Sequence, residues 1–419
     1  MIADLEKQIF NVKQSSRNLS LLSSQQRVNA IELLSSKLLS NKHLIIKVND
    51  DELTFASQKG LSNHILDRMK ITKETIDRMV ESLNTVKELP DSVSEIMNSK
   101  VMDNGLIVNK VRVPLGVLGV IFESRPNVVI EIASLAIKSG NALVMRGGSD
   151  CLKTNLFLFK LVKESLDESG FPENSMYFLD YTDREAVGLL LSMDKYIDLL
   201  IPRGSSSLVN LVNQNAKMPS ITGGVGVCHT YIDDKADIDQ AINIIDNAKT
   251  QNPSVCNALD TVIIHENILD QIIDPLAKVL LSKNVKIRAD KKSYENIKSL
   301  LGVELASKED FGEEFLDLKL SIKTVNNLEE AIDHISDYGS KHSEAIITND
   351  NNNAKYFLEK VDSAAVFHNT STRFNDGYEL GLGAEVAVST DKLHARGPMG
   401  INDLMTYKWV VSGNGQIRS

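Results

Sequence analysis

Gly116-Val-Leu-Gly-Val-Ile-Phe122, the segment Val128–Ser139 with Gly140 behind it, and Ala142-Leu-Val-Met145 together decide the fold. The first is a short, wholly apolar run rich in β-branched residues, the pattern of a strand buried on both faces. The second repeats apolar residues at helical spacing and stops at a glycine suited to the left-handed position after a helix. The third reads as another buried strand. The alternation continues through a helix at Lys153–Glu168, a strand at Met176-Tyr-Phe-Leu179, a helix at Glu185–Met193, a strand at Ile197-Asp-Leu-Leu-Ile201 and a helix at Ser205–Asn215. Short apolar strands interleaved with helices predict an α/β fold with a parallel, doubly wound sheet. Such sheets place ligands at the carboxyl ends of their strands.

Outward from this block the texture changes. Before it, Gln25–Leu39 and Thr72–Leu89 carry apolar residues at three- and four-residue steps and predict a helical layer. After it, a second alternating block runs from Val225 to Val366, with helices at Ile238–Ala248 and Leu328–Ile335 and strands near Thr261–Ile264, Leu320–Lys323 and Ala345–Thr348. Ser371 to Gly400 is glycine-rich and irregular, but its Phe374, Tyr378, Leu380 and Val386 favour an ordered loop. Met405-Thr-Tyr-Lys-Trp-Val-Val411 reads as a strand carrying the only Trp, and an apolar strand needs an edge to pair with, which suggests a subunit contact.

Composition excludes several classes. The 419 residues suffice for two or three domains, and 42% hydrophobic with 24% charged residues is ordinary for a globular protein. A net charge of −10, without a long basic cluster, argues against general nucleic-acid or membrane-surface binding. No apolar run approaches the ~20 residues that span a bilayer. The amphipathic start lacks the apolar core of a signal peptide, so the expected location is the cytoplasm.

Three cysteines are present, too far apart for a redox dithiol, and they read as free thiols. Cys256, in Lys249-Thr-Gln-Asn-Pro-Ser-Val-Cys-Asn257, stands between a helix pattern and the strand Thr261–Ile264. Unpaired N–H groups of a loop or helix start, with a favourable helix dipole, would stabilise its thiolate for attack on a carbonyl. The competing reading is a small buried hydrophobe. The polar flank through Asn257 argues against it, whereas Cys151 and Cys228 lie in apolar settings and read as structural.

Other polar turns fall at strand ends. Arg146 and Gly147, in Met145-Arg-Gly-Gly-Ser149, offer a guanidinium where an acidic residue would select an unphosphorylated ribose, which points to NADP(H). Gly204 and Ser205 open a helix and present N–H donors to an anion. For both, an ordinary strand–helix turn remains open. Arg125, in Phe122-Glu-Ser-Arg-Pro-Asn127, suits an acyl phosphate or oxyanion, or else an ion pair at the sheet's end. His394 and Arg396 suit a carboxylate, or else belong to a solvated loop. The eight His form no spaced pairs with carboxylates, and no metal site is expected.

Three motifs taken together carry a resemblance. They are Val325-Asn-Asn-Leu-Glu-Glu-Ala-Ile-Asp-His-Ile-Ser-Asp-Tyr-Gly-Ser-Lys-His-Ser-Glu-Ala-Ile346, Ser371-Thr-Arg-Phe-Asn-Asp-Gly377, and Gly381-Leu-Gly-Ala-Glu-Val with Leu393-His-Ala-Arg-Gly-Pro-Met-Gly400. In these the chain resembles the γ-glutamyl phosphate reductases, or glutamate-5-semialdehyde dehydrogenases, of the aldehyde dehydrogenase superfamily. The resemblance covers nearly the whole chain and is thinnest over the first hundred residues. It implies a Rossmann-like NADPH domain (residues 1–99 and 113–229), a second α/β catalytic domain (230–402) and a small oligomerisation flap (100–112 and 403–419).

Residue by residue, the resemblance makes Cys256 the nucleophile and sets Arg146 on the adenosine ribose. It sets Gly204 and Ser205 on the pyrophosphate and Glu314 on the nicotinamide ribose. Arg125 falls near an oxyanion-hole position, and Asn257, His394 and Arg396 join it as oxyanion or substrate contacts. The run Arg203-Gly-Ser-Ser-Ser207 departs from the more glycine-rich family pattern.

Hydrolytic relatives keep a glutamate before a Gly-Gly pair to activate water, and the matching Ser220-Ile-Thr-Gly-Gly224 has no carboxylate. Losing a general base costs water attack roughly two to four orders of magnitude. The implied reaction is reduction of L-glutamyl 5-phosphate by NADPH to glutamate 5-semialdehyde and phosphate through a Cys256 thioester, the second step of proline biosynthesis. The implied partners are a second copy of the chain and, transiently, glutamate 5-kinase. A hydrolytic or CoA-acylating aldehyde dehydrogenase, or a non-catalytic scaffold on the same fold, are the alternatives.

Overall fold

Val117–Phe122 is buried at every residue and has parallel neighbours on both sides, Ala142–Arg146 and Leu199–Arg203. Met176–Phe178 pairs with Ala142–Arg146 and completes a four-stranded parallel sheet. The helix Val128–Ser139 is almost wholly buried and stops where Gly140 turns to φ 71°, a conformation that costs glycine little. The computed structural model describes residues 2–181, 183–221, 223 and 225–418, without the side chains of Ile2, Ala3, His64, Arg184 and Ser206.

The chain divides into two compact units. One is Met1–Thr222 with Leu382–Ala387 and Met399–Ser419, and the other is Gly223–Gly381 with Val388–Pro398. Residues 382–387 and 399–402 therefore return to the first unit, where the sequence placed everything from 230 to 402 in the second.

In the first unit, helices Ile2–Leu19, Ser24–Ser40, Lys42–Gln58 and Lys73–Glu88 precede the sheet. Ser24–Ser40 opens on a capping box between Ser23 and Gln26, and it buries Ile31, Leu34 and Leu38. Glu52, on Lys42–Gln58, is buried and accepts from the N–H groups of Lys153 and Thr154 at 2.8 and 3.1 Å. A carboxylate there satisfies donors that the first turn of Leu152–Glu168 leaves open.

Ile96–Val101, Ile107–Pro114 and Met405–Ser412 form a separate antiparallel sheet with Ile107–Pro114 in the middle. Met405–Ser412 thus pairs along one of its edges with Ile107–Pro114 of its own chain. Its Trp409 remains 60% exposed.

The second unit holds seven parallel strands in the order Val303–Leu305, Lys286–Ala289, Lys319–Val325, Leu259–His265, Cys228–Ile232, Ser343–Ile347 and Ala365–His368. Leu259–His265 is buried throughout. Against it packs the helix Ile238–Thr250, whose Ala241, Ile245 and Ala248 are fully buried at helical spacing. No helix among the described residues is long and apolar enough to cross a membrane.

Candidate active site

The loop that carries Cys256 is shaped by the end of one helix and the start of the central strand. Ile238–Thr250 is capped by Asp237 and gives way at Gln251-Asn252-Pro253, where proline cannot continue the helical bonds. A tight turn follows, and Leu259–His265 begins three residues beyond Cys256. Cys256 is half-buried in that turn. No helix starts at it, and the nearest helix end is the carboxyl end of Ile238–Thr250. The helix before the turn thus offers its negative pole, so it is not the source of the dipole expected to favour a thiolate.

A buried ion pair closes the turn from beneath. Lys249, fully buried, sets its Nζ 3.5 Å from Oδ1 of Asp260, so the residues flanking the turn meet across it. Asp260 also accepts from the Phe315 N–H at 3.2 Å and the Cys228 N–H at 3.5 Å. Burial pushes the Asp260 carboxyl up to about 7, against the pull of Lys249.

Gly226 lies so close that a Cβ built on it would sit 1.5 Å from the Cys256 carbonyl oxygen. That oxygen accepts from the Cys228 thiol at 3.2 Å. The Gly226 N–H donates to Oε1 of Glu314 at 2.7 Å. Burial raises the Glu314 carboxyl above its ordinary value, and this N–H opposes the rise. Cys256 and Glu314 are thereby tied to one glycine. The sequence offered no sign of Gly226's role, since the closeness exists only in the fold.

Asn257 is buried, and its amide donates to the carbonyls of Asn375 at 3.1 Å and Arg373 at 3.4 Å. Its donors staple the Ser371–Gly377 segment to the turn, which differs from the substrate contact expected of it. Arg373, to which the sequence reading gave no role, comes near enough to Cys256 to feel its charge. Burial lowers its guanidinium below the ordinary arginine value, and Asp376 and then Cys256 pull the other way.

Arg396 donates to Oδ1 of Asp362 at 2.7 Å and to the Asp362 carbonyl at 2.9 Å. Its guanidinium holds a carboxylate, but one of the protein's own. Lys392 Nζ reaches the same Asp362 at 2.8 Å. His394 is exposed on the adjoining loop.

The remaining sequence-derived residues gather at the carboxyl ends of the four-stranded sheet. Arg146 ends the strand Ala142–Arg146, half-buried, with its guanidinium lowered by burial and raised by Asp150 and Glu123. At Gly147 a Cβ would meet Asn155 Nδ2 at 2.3 Å and the Phe122 ring at 2.9 Å, so the strand can leave the sheet here only as glycine. Gly204 and Ser205 precede the helix Ser206–Asn215. Glu123 has taken the donors of Ser205, whose N–H and Oγ donate to its carboxylate at 2.7 and 3.0 Å. Arg125 is exposed in the turn after Val117–Phe122. The helix start after Leu199–Arg203 and the Arg146 guanidinium thus stand at the same end of the sheet, with the strand Val117–Phe122 between them.

The other two thiols contrast with Cys256. Burial, then Glu52, pushes Cys151 up to about 12, and burial lifts Cys228 well above the ordinary thiol value. In Ser220-Ile-Thr-Gly-Gly224, Thr222 and Gly224 lie outside the described residues. Among the described residues no cluster of three or more His, Cys, Asp or Glu could hold a metal.

Known proteins resemble the chain end to end. The profile of the aldehyde dehydrogenase family matches residues 7–294. The chain is 42% identical over 419 residues to a γ-glutamyl phosphate reductase of Caldicellulosiruptor saccharolyticus, covering 100% of both chains. It is 44% identical over 408 residues to that of Francisella philomiragia, covering 97% of this chain and 98% of the relative. The crystal structure of a γ-glutamyl phosphate reductase from Thermotoga maritima superposes with a TM-score of 0.96 at 38% identity, covering 99% of this chain and 100% of the other. An acetylating aldehyde dehydrogenase from Geobacillus thermoglucosidasius shares the fold, with a TM-score of 0.72 at 16% identity over 100% of this chain and 98% of the other.

Proposed function

Because this chain belongs to the γ-glutamyl phosphate reductase family of aldehyde dehydrogenases, we propose that it reduces L-glutamyl 5-phosphate to glutamate 5-semialdehyde and phosphate. The full-length likeness to reductases of that one kind carries the reading. The local chemistry supports it: of three thiols, only Cys256 is half-exposed on a turn, and the other two are buried.

Cys256 attacks the acyl carbon as a thiolate, and the carbon–oxygen bond to phosphate breaks to leave a thioester. A bound nicotinamide cofactor supplies the hydride that reduces it. Gly226 fixes the height of the Cys256 carbonyl, and Glu314 is held beside it by the Gly226 N–H. The Cys256 N–H is the oxyanion donor we assign within the second unit, while Arg125, expected there from the sequence, stands on the first. The absence of a carboxylate in the Ser220–Gly224 sequence keeps water from competing.

For the cofactor we assign NADPH, with Arg146 as the cation for a 2′-phosphate and Gly147, Gly204 and Ser205 as the close-approach and donor positions. Glu123 must release Ser205 before a phosphate can take its place. The assignment extends to a cofactor-binding first unit, a catalytic second unit and a flap made by the exposed antiparallel sheet, where a second copy would dock. A cytoplasmic location and transient delivery of the unstable acyl phosphate by glutamate 5-kinase complete it.

The test is reduction of NADP by purified protein with glutamate 5-semialdehyde, with and without inorganic phosphate. Phosphate-dependent turnover that is lost in Cys256→Ala is the expected result. Turnover without phosphate would overturn the reading in favour of a hydrolytic enzyme, and no turnover with NADPH left unbound would favour a scaffold.

A further inference from the structure

Arg373 is clamped to the nucleophile turn from both sides. Its Nε donates to Oε1 of Gln251, where the turn begins, at 2.7 Å. At the other end Thr372 Oγ1 donates to the Asn257 carbonyl at 2.8 Å, and the Asn257 amide bonds back to the carbonyls of Arg373 and Asn375. The guanidinium is therefore fixed to the seven-residue stretch that presents Cys256.

Its terminal nitrogens make no ion pair among the described residues, although Asp376 and Glu379 follow in the same loop. Oδ1 of Asp376 is engaged by the N–H groups of Tyr378 and Glu379, at 2.9 and 3.4 Å. The other cation near the turn, Lys249, is fully buried and faces Asp260. The adjacent helix presents its carboxyl end to the turn and offers an anion nothing.

The chemistry places two anions here. A thiolate must approach a carbon that bears a phosphate, and the phosphate must then leave with the bonding electron pair. A cation held at the turn lowers the repulsion on approach and stabilises the departing group, and a guanidinium fork suits phosphate oxygens. The substrate's α-carboxylate lies at the far end of a carbon chain from the reacting carbon, which makes it a poorer match for a cation tied to the thiol's own turn.

We propose that Arg373 binds the phosphate group that Cys256 displaces, and binds inorganic phosphate when the reaction runs backwards. In that direction a phosphate oxygen attacks the thioester carbon, the carbon–sulfur bond breaks, and the Cys256 thiolate leaves. The inference rests on the phosphate-releasing reaction proposed above.

Two measurements on the full chain test it. Inorganic phosphate should slow alkylation of Cys256 by iodoacetamide in the wild type, without any cofactor, and should fail to do so in Arg373→Gln. In the reverse reaction Arg373→Gln should raise KM for phosphate about ten- to 100-fold, the cost of one charged hydrogen-bonding contact, and leave KM for the semialdehyde within about twofold. Arg373→Lys keeps the charge without the fork and should recover part of both effects. It also serves if the Gln variant does not fold.

An unchanged phosphate KM with a raised semialdehyde KM would overturn the proposal and place the substrate carboxylate on Arg373. Equal loss in both constants, with phosphate protection intact, would reduce Arg373 to a brace for the turn. A wild type without phosphate-dependent turnover would instead overturn the reaction itself, so the two failures are distinct.

Discussion

Gly226→Ala is the sharpest perturbation the structure offers. The new Cβ would stand 1.5 Å from the Cys256 carbonyl oxygen, which is backbone and cannot rotate away. Carbon–oxygen contacts settle at about 3.3 Å or beyond, so the two segments must part by about 1.8 Å. The Cys228 thiol on that carbonyl and the Glu314 carboxylate on the Gly226 N–H move with them. A displacement of about 1 Å at a reacting group costs about 100-fold in rate, so kcat/KM should fall by at least that factor, or about 2.7 kcal/mol of transition-state stabilisation. The assay is initial-rate reduction of NADP with semialdehyde and phosphate, alongside a thermal melt. Gly188→Ala is the control. Gly188 lies in the helix Arg184–Leu191 with nothing within 4 Å of a new Cβ, so activity should hold and stability should rise by about 0.5–1 kcal/mol. A Gly226→Ala enzyme within threefold of wild-type kcat/KM, with an unchanged melt, would show that the Cys256 carbonyl does not set the geometry of the thiol.

Three further expectations can be checked separately. Arg146→Ala should weaken NADPH far more than NADH, read by fluorescence titration of each cofactor; equal weakening would remove Arg146 from the 2′-phosphate. Iodoacetamide applied to the folded protein should modify Cys256 first, because burial lifts the thiols of Cys151 to about 12 and of Cys228 well above the ordinary value; peptide mass mapping that found Cys151 modified as fast would contradict this. Lys392 and Arg396 hold the Asp362 carboxyl down at about 2, below the unfolded value of 3.8, so the pair contributes stability above that unfolded value and loses it as pH falls through the folded one. Denaturant midpoints of wild type and Asp362→Asn should therefore differ at neutral pH and low salt and converge below about pH 2, with salt shrinking the difference; a gap independent of pH would refute it.

The elements legible in the sequence are those whose burial follows one period. Val117–Phe122 is apolar at every residue and Val128–Ser139 ends on a glycine, so both were read within a residue of their observed bounds. The pair Ile96–Val101 and Ile107–Pro114 escaped because it is exposed or only half-buried and mixes Asn, Ser and Lys with its apolar residues, so no apolar run marks it. The helix Leu269–Ser282 escaped because Pro275 interrupts its pattern while its buried face carries it through. At the site, the polar flank marks Cys256 as the thiol that lies half-exposed, whereas its surroundings leave no mark in the local sequence. The helix before it in sequence turns its carboxyl end to the turn. Arg373 reaches the turn through contacts with Gln251 and Asn257, more than a hundred residues away in the chain, and no local pattern encodes such a meeting.

The central strand of the antiparallel sheet carries a cost during synthesis. Ile107–Pro114 pairs along its full length with Met405–Ser412, so one of its edges has no partner until about 290 further residues have been made. At about 5–20 residues per second that edge waits roughly 15–60 s on the ribosome. Its charged Lys110 and Arg112 make that open edge a poorer template for neighbouring nascent chains than an all-apolar strand would be.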